Sequence, residues 1–179
     1  FENTAMQRIV AELKKIRYLQ RIVLALGRAS TEQYLRVKAL FEDFYTPVTI
    51  LHIESERIQG LLQMLEERGL SPGPDGKGRS CWLSYGYILA TGDCDVIALH
   101  DCDIVNYDRT LLARLCFPVV HPNLGFEFCK GYYARVTDRM HGRVTRLFFT
   151  PLVRAMMGMA PDASFLTFLD SFRYGLAGE

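Results

Sequence analysis

The chain has 179 residues, of which 49% are hydrophobic and 23% charged, and its formal net charge is +1. This length suffices for one well-buried domain, and the balanced charge gives no reason to expect a nucleic acid or an anionic membrane as partner. No apolar stretch approaches the roughly eighteen residues of a membrane-spanning helix, so we predict no membrane span.

The first half of the chain alternates between patterns typical of helices and patterns typical of strands. Three segments carry apolar residues at helical spacing, and two short runs between them are typical of strands. Ser30 and Gln33 stand at capping-box spacing, and Gly69 is the expected cap at the end of the third helix. Alternation of this kind predicts an α/β fold, with a mostly parallel sheet and helices on both faces. The predicted elements are helices at 6–16, 30–44 and 55–69 and strands at 22–26 and 48–53.

The second half contains a loop at 71–78 that is too rich in glycine and proline to be regular. After it, the apolar run Val96 to Leu99 is typical of a strand buried on both faces. We expect the helix after this strand to end before Pro118, and a later helix to be kinked at Pro151. The remaining predictions are helices at 79–90, 111–117, 143–157 and 163–172 and a strand-like segment at 126–133.

Two aspartates follow the predicted strand at 96–99. Asp101 and Asp103 are one residue apart, so in an extended segment both side chains point to the same side. Ligands of open α/β sheets lie outside the carboxyl ends of strands, and paired carboxylates there suit a divalent cation and a phosphorylated substrate. Asp93 and Asp95 have the same spacing but precede the strand, so we expect a turn there. A solvated strand end is the alternative interpretation of Asp101 and Asp103.

Two glycine-containing segments lie where loops become helices. Lys77 stands between two glycines, and a helix N-terminus with a lysine beside it suits a phosphate group. Arg143 lies in the sequence Gly-Arg-Val-Thr, where a planar guanidinium and a hydroxyl suit a carboxylate or a phosphate. Taken singly, a flexible surface loop and an ordinary capped helix are the alternative interpretations.

Taken in order, Gly-Lys-Gly, Asp-x-Asp, Lys-Gly-Tyr-Tyr and Gly-Arg-Val-Thr-x-Leu resemble motifs of the GT-A glycosyltransferases. Within that class the chain most resembles the glucosyl-3-phosphoglycerate synthase family and its mannosyl relatives. The resemblance covers nearly the whole chain and is densest from Gly76 to Pro151. It implies one GT-A domain over 1–179, with a donor-binding half at about 1–107 and an acceptor-binding half at about 108–179.

The resemblance also implies an activity. This is the retaining, metal-dependent transfer of a hexose, glucose in the first place, from a nucleotide-diphosphate sugar to 3-phosphoglycerate or a similar glycerate. UDP-glucose is the expected donor and a GDP-hexose the alternative, and the enzyme is expected to act as a cytoplasmic homodimer. The cytoplasm is also favoured by the five cysteines, an odd number without a Cys-x-x-Cys pair.

Roles for single residues follow from the same resemblance. Asp103 binds the divalent cation, magnesium or manganese, and Asp101 contacts the ribose or the cation's second shell. Lys77 and Cys102 complete the donor site, and Glu179 contacts or orients the transferred hexose as the catalytic residue. The phosphate and carboxylate of the acceptor are expected at Gly142, Arg143, Val144 and Thr145.

The chain departs from the family pattern after the strand at 22–26. The family has Asp-Ser-Gly-Ser-Thr there, and this chain has Gly-Arg-Ala-Ser-Thr at 27–31, so it lacks an acidic residue expected at a uracil site. The family's donor-binding residues after its first strand would precede Phe1, and its histidine metal ligand would lie beyond Glu179. Two other functions remain open: a nucleotidyltransferase of similar fold, and a non-catalytic nucleotide-sugar-binding domain.

Overall fold

The computed structural model describes residues 4–131 and 145–172. The chain divides into two compact units, Phe1–Gly131 and Tyr132–Glu179. The first unit mixes helices and strands, and the described part of the second is helical. In chain order the elements are α1 (Thr4–Leu13), β1 (Ile22–Leu26), α2 (Thr31–Leu40), β2 (Val48–His52), α3 (Glu56–Glu67), α4 (Lys77–Thr91), α5 (Arg109–Val120), α6 (Thr150–Met159) and α7 (Ser164–Phe172).

The two strands of the described chain form a parallel sheet. Their register runs from Ile22 opposite Val48 to Leu26 opposite His52, and α2 lies in the connection between them. Because successive side chains of a strand point to opposite faces, each strand supplies apolar residues to two sides. The predicted α/β class and the parallel pairing of these two strands are confirmed.

Helices cover both faces of this sheet. On one face, Leu26 packs in a cluster with residues of α1 and α2, including Val37. On the other face, Leu51 packs with Leu62 of α3 and Leu83 of α4. A third cluster joins α1 to α5 around Tyr107, which is fully enclosed. The sheet therefore has the helix–sheet–helix layering that the alternating pattern predicts.

The capping box at Ser30 and the glycine cap at Gly69 that the sequence predicts are present. The backbone N–H of Gln33 donates to the Ser30 hydroxyl at 3.2 Å, and the Ser30 N–H donates to the Gln33 side chain at 2.8 Å, so both bonds of the capping box form. Gly69 follows α3 with φ at 72°, a left-handed conformation that glycine adopts without strain. A cap that the pattern did not reveal is Asp108, whose carboxylate accepts from the N–H groups of Thr110 and Leu111 in the first turn of α5.

Both predicted strands of the second half are wrong over the described residues. Residues 96–99 and 126–131 have no strand pairing, and Ile97 and Leu99 are 38% and 53% exposed. A strand needs a neighbour to satisfy its backbone N–H and C=O groups. Within the described chain β1 and β2 pair only with each other. An apolar run of four residues does not reveal whether such a neighbour exists.

Two prolines show how far helix boundaries can be predicted. α5 continues through Pro118 to Val120 instead of ending before it, because only one N–H is missing so close to the end of the helix. In the second unit a π-helical turn, Thr145–Phe149, precedes α6, and Pro151 lies in the first turn of α6. The helix predicted at 143–157 therefore changes geometry beside Pro151. Residues 143 and 144 lie outside the described residues.

Within the second unit, α6 and α7 contact each other. Val153 and Leu166 are buried, and the Arg154 guanidinium donates to Asp170 at 2.9 Å. In the parts of the chain that the structure describes, no helix is long and apolar enough to cross a membrane.

Candidate functional site

Lys77 and Asp101, which two separate motifs single out, are in direct contact. Lys77 is the first residue of α4, and its Nζ lies 2.5 Å from Oδ1 of Asp101. Both side chains remain accessible to solvent, with 57% and 41% of their surfaces exposed. The hydrogen bond to Asp101 is the main reason that the pKa of Lys77 is raised, and the charge of Asp103 adds to it. A cation and two carboxylates thus share one open region of the first unit.

The aspartate pair lies in a turn instead of at the tip of a strand. Cys102 and Asp103 form the turn and are exposed, and Asp101 is partly exposed. Next to them, Nδ1 of His100 lies 3.0 Å from the backbone oxygen of Asp101, so this nitrogen carries the proton. The His100 ring contacts the ring of the enclosed Tyr107, with 4.9 Å between centroids. The turn is therefore anchored to the core on one side and open on the other.

The carboxyl ends of the two strands are tied together by side chains. Arg28, just after β1, has φ at 55°, in the left-handed region that non-glycine residues rarely adopt. Its N–H and the N–H of Ala29 both donate to the Glu54 carboxylate, just after β2. His52 contributes Nε2, 2.7 Å from the Ala29 oxygen, and its ring stacks on Tyr34. Glu54 therefore compensates for the unusual backbone of the loop after β1.

An arginine from that loop reaches the segment that precedes Lys77. The Arg28 guanidinium donates to Asp75 at 3.0 Å, and Arg79 donates to the other oxygen of Asp75 at 2.6 Å. These bonds, that from Arg28 first, lower the pKa of Asp75. Sequence reasoning missed Asp75 because it lies in a loop rich in glycine and proline. Its spacing of four residues from Arg79 is the signal that could have found it.

The second aspartate pair serves as an internal comparison. Asp93 follows α4, which ends at the left-handed Gly92, and its carboxylate accepts from the Thr91 hydroxyl and from Arg21, each at 2.8 Å. The Thr91 bond and then the Arg21 bond lower the pKa of Asp93. Neither aspartate lies in a helix or a strand, and Asp95 forms a bend. Asp93 is occupied by structural contacts.

The described residues contain no group of three or more His, Cys, Asp or Glu side chains that could hold a metal ion. Asp101 and Asp103 nevertheless offer hard carboxylate oxygens on an exposed turn. Magnesium commonly binds through one or two carboxylates, with substrate phosphates and water filling its other positions. The two carboxylates therefore suit a cation whose other ligands are phosphate oxygens and water, and they do not suit a site in which every ligand comes from the protein.

The residues predicted to bind the acceptor belong to the second unit. Thr145 begins the π-helical turn and is partly exposed. Gly142, Arg143 and Val144 lie outside the described residues, and so does Glu179.

Comparison with known proteins tests the resemblance directly. A glucosyl-3-phosphoglycerate synthase from Persephonella marina is 54% identical over 179 residues, which are 100% of this chain and 44% of that protein. The resemblance to the glucosyl-3-phosphoglycerate synthases is confirmed. A protein of the same name from Methanococcoides burtonii is 37% identical over 182 residues, covering 99% of this chain and 44% of that relative. No protein-family model and no solved structure matches the chain.

The similarity to the glucosyl-3-phosphoglycerate synthases extends over the whole chain and so spans both units. The chain spans less than half the length of either relative. The first unit contains the contact between Lys77 and Asp101, and the Gly-Arg-Val-Thr segment falls in the second.

Proposed function

We propose that the protein containing this chain is a retaining glucosyltransferase of the GT-A fold, which moves glucose from a nucleotide-diphosphate sugar to 3-phosphoglycerate. The observation that carries the proposal is the 54% identity, over the entire chain, to a glucosyl-3-phosphoglycerate synthase. The parallel sheet with helices on both faces is compatible with a GT-A domain.

The donor diphosphate is proposed to bind beside Lys77, Asp101 and Asp103. When a glycosidic bond breaks, negative charge grows on the departing diphosphate, and fixed positive charge nearby stabilises it. Lys77 begins a helix whose N-cap, Gly76, supplies no side-chain acceptor, so the positive end of the helix would add to the charge of the ammonium. Asp101 holds that ammonium in place and is available to the ribose hydroxyls.

Asp103, with Asp101 beside it, would hold a divalent cation, magnesium or manganese. Such a cation would add positive charge beside the leaving diphosphate. The exposure of Asp103 allows it to meet a cation that arrives with the nucleotide. Cys102 lies between the two carboxylates in the exposed turn and is proposed to contribute to the donor site.

The acceptor is proposed to bind at the Gly-Arg-Val-Thr segment. Arg143 offers a guanidinium that matches a phosphate or carboxylate in two places, and Thr145 offers a hydroxyl. Gly142 and Val144 would contribute backbone donors. Holding the acceptor hydroxyl near the anomeric carbon is a positioning role, and Glu179 is proposed to orient the hexose during transfer.

UDP-glucose is proposed as the donor, with a GDP-hexose as the alternative. The loop after β1 lacks the acidic residue that the family pattern has, but its backbone approaches Glu54, so one carboxylate is close to this loop. A homodimer in the cytoplasm completes the proposal, and the free state of the five cysteines agrees with a reducing compartment.

The decisive experiment incubates the full-length protein with UDP- or GDP-hexoses, magnesium and 3-phosphoglycerate, and identifies the product by mass. A glucosylated phosphoglycerate with release of UDP supports the proposal, and the proton coupling of the new anomeric centre reports retention. Release of pyrophosphate from a nucleoside triphosphate would instead indicate a nucleotidyltransferase. Calorimetric binding of the nucleotide sugar without any turnover would indicate a non-catalytic binding domain.

A further inference from the structure

We propose that Asp75 is a positioning residue for Lys77: it clamps the start of α4 to the loop after β1 and so holds the lysine ammonium at the donor site. This inference rests on the proposed function, because it assigns Asp75 to the same donor site. The feature that carries it is the pair of bonds that Asp75 accepts, from Arg28 at 3.0 Å and from Arg79 at 2.6 Å.

The local part of the clamp spans Lys77. Asp75 and Arg79 are four residues apart and lie two residues before and two residues after the lysine. The N-cap of α4 is Gly76, which has no side chain to accept from the first turn. The bond between Asp75 and Arg79 therefore replaces a side-chain cap in fixing how the loop enters the helix. Lys77 is in the turn that this bond closes.

The long-range part of the clamp connects that turn to the sheet. Arg28 is the second residue after β1, and its backbone is held in the left-handed region by the Glu54 carboxylate. This geometry aims the Arg28 side chain at Asp75, 47 residues further along the chain. The position of Lys77 is thereby set relative to the carboxyl ends of β1 and β2, where an α/β sheet binds its ligands.

The two arginines are not equivalent, which makes the clamp testable. Arg28 has a side chain that is 78% exposed, so solvent screens its bond to Asp75. Arg79 is only 18% exposed, and its Nε finds no hydrogen-bond partner among the described residues. Without Asp75, the largely enclosed Arg79 would lose the carboxylate that compensates its charge. We therefore expect loss of Asp75 to affect the loop more than loss of the Arg28 side chain.

The test compares Asp75→Asn, Asp75→Glu and Arg28→Ala in the full-length protein. Asp43→Asn is the matched control, because Asp43 is a 91% exposed aspartate that pairs loosely with Lys14. The hydrogen-exchange rates of the backbone amides at 76–80 report how firmly the clamp holds the start of α4, and they do not depend on enzymatic activity. The position of Lys77 is tested by two further measurements. These are the dissociation constant of UDP in the presence of magnesium, from calorimetry, and the KM and kcat for the nucleotide sugar.

In Asp75→Asn we expect faster exchange at 76–80 and a roughly three- to fivefold rise in the UDP dissociation constant and the donor KM. The acceptor KM should stay unchanged, Arg28→Ala should show a smaller effect, and Asp75→Glu should recover most of the loss. Unchanged exchange in Asp75→Asn would overturn the clamp. Faster exchange with unaltered UDP binding would overturn the positioning role. If the wild type transfers no glucose, the proposed function fails, while exchange and UDP binding still decide on Asp75.

Discussion

The Lys77 ammonium lies 2.5 Å from the Asp101 carboxylate, a contact that joins the first turn of α4 to an aspartate pair 24 residues further along the chain. Neither motif is specific alone, since glycine-flanked lysines and Asp-x-Asp sequences are common. Their contact brings the residues of two weak sequence signals together, so that a cation and two carboxylates share one open region. The accessible surface that both side chains retain leaves room for a ligand between them and solvent.

Lys77→Met should weaken binding of the sugar donor without affecting binding of the acceptor. Removal of the ammonium deletes a charge-assisted contact to the diphosphate, and we expect the KM for the nucleotide sugar to rise about tenfold or more. Steady-state kinetics with each substrate varied in turn measure this difference. Lys38→Met, at an exposed lysine in the last turn of α2, is the control. An equal rise in both KM values would contradict a donor-specific role.

The protonation of Lys77 predicts how donor binding depends on pH. Its pKa is raised above the ordinary 10.5, chiefly by the hydrogen bond to Asp101. The stabilisation from this pair is therefore complete below the ordinary pKa and is lost only as pH rises through the higher folded value. Donor affinity should show no loss from this group between pH 7 and about 9, which titration calorimetry across that range can check. A loss with a midpoint near pH 8 that disappears in Lys77→Met would contradict the assignment.

Asp103→Ala should lower kcat by about a hundredfold or more, because the cation that Asp103 is proposed to hold would stabilise the leaving group. The chain provides its own control in Asp95→Ala, which changes the second aspartate of the other Asp-Cys-Asp sequence. Initial rates over a range of magnesium concentrations measure both variants. Near-normal rates in Asp103→Ala, or an equal loss in Asp95→Ala, would exclude Asp103 as the metal ligand.

Arg143→Ala should raise the acceptor KM and leave the donor KM nearly unchanged. The guanidinium is proposed to bind the phosphate or carboxylate of 3-phosphoglycerate, and loss of such a bidentate contact commonly costs tenfold or more. Arg143→Lys should recover only part of the loss, because an ammonium cannot reproduce the planar fork. Arg57→Ala, at an exposed position of α3, controls for the loss of one positive charge. An unchanged acceptor KM in Arg143→Ala would remove this residue from the site.

Sequence reasoning succeeded where local chemistry decides the structure. Ser30 and Gln33 cap α2 because both partners of the capping box lie three residues apart. β1 matches its predicted bounds at Ile22–Leu26, and β2 differs only at its end, since short apolar runs between capped helices leave few alternatives.

The features that the sequence did not predict correctly are those that depend on distant partners. Residues 96–99 form no strand because pairing needs a neighbour, and their composition is the same with or without one. The spacing of Asp75 from Arg79 could have revealed its local contact, but not its contact with Arg28, which is 47 residues away on a loop whose backbone depends on Glu54. Lys77 and Asp101 were each singled out, but nothing in the sequence revealed their contact.

Tyr107 provides a test of the fold that is independent of the donor site. Its side chain is 0% exposed, and its hydroxyl finds no hydrogen-bond partner among the described residues. Burial is the main reason that its pKa is raised to about 12. Tyr107→Phe keeps the ring contact with His100 and removes a buried polar group without a partner. At pH 7 we expect the free energy of unfolding to stay unchanged or to rise by up to about 1 kcal/mol.

The same substitution should change the response to alkali. The pKa of the Tyr107 phenol is raised from 10.0 to about 12 in the folded protein. Its contribution to the free energy of unfolding is therefore complete below pH 10. That contribution is lost as pH rises towards 12, because the unfolded chain then releases a proton that the folded protein retains. Urea unfolding at pH 8 and pH 11 should therefore show a smaller alkaline loss for Tyr107→Phe than for the wild type. Tyr45→Phe, at a 72% exposed tyrosine, should follow the wild type at both values. A marked loss of stability in Tyr107→Phe at pH 8 would mean that the hydroxyl has a hydrogen-bond partner in solution, and the packing around α1 and α5 would then need revision.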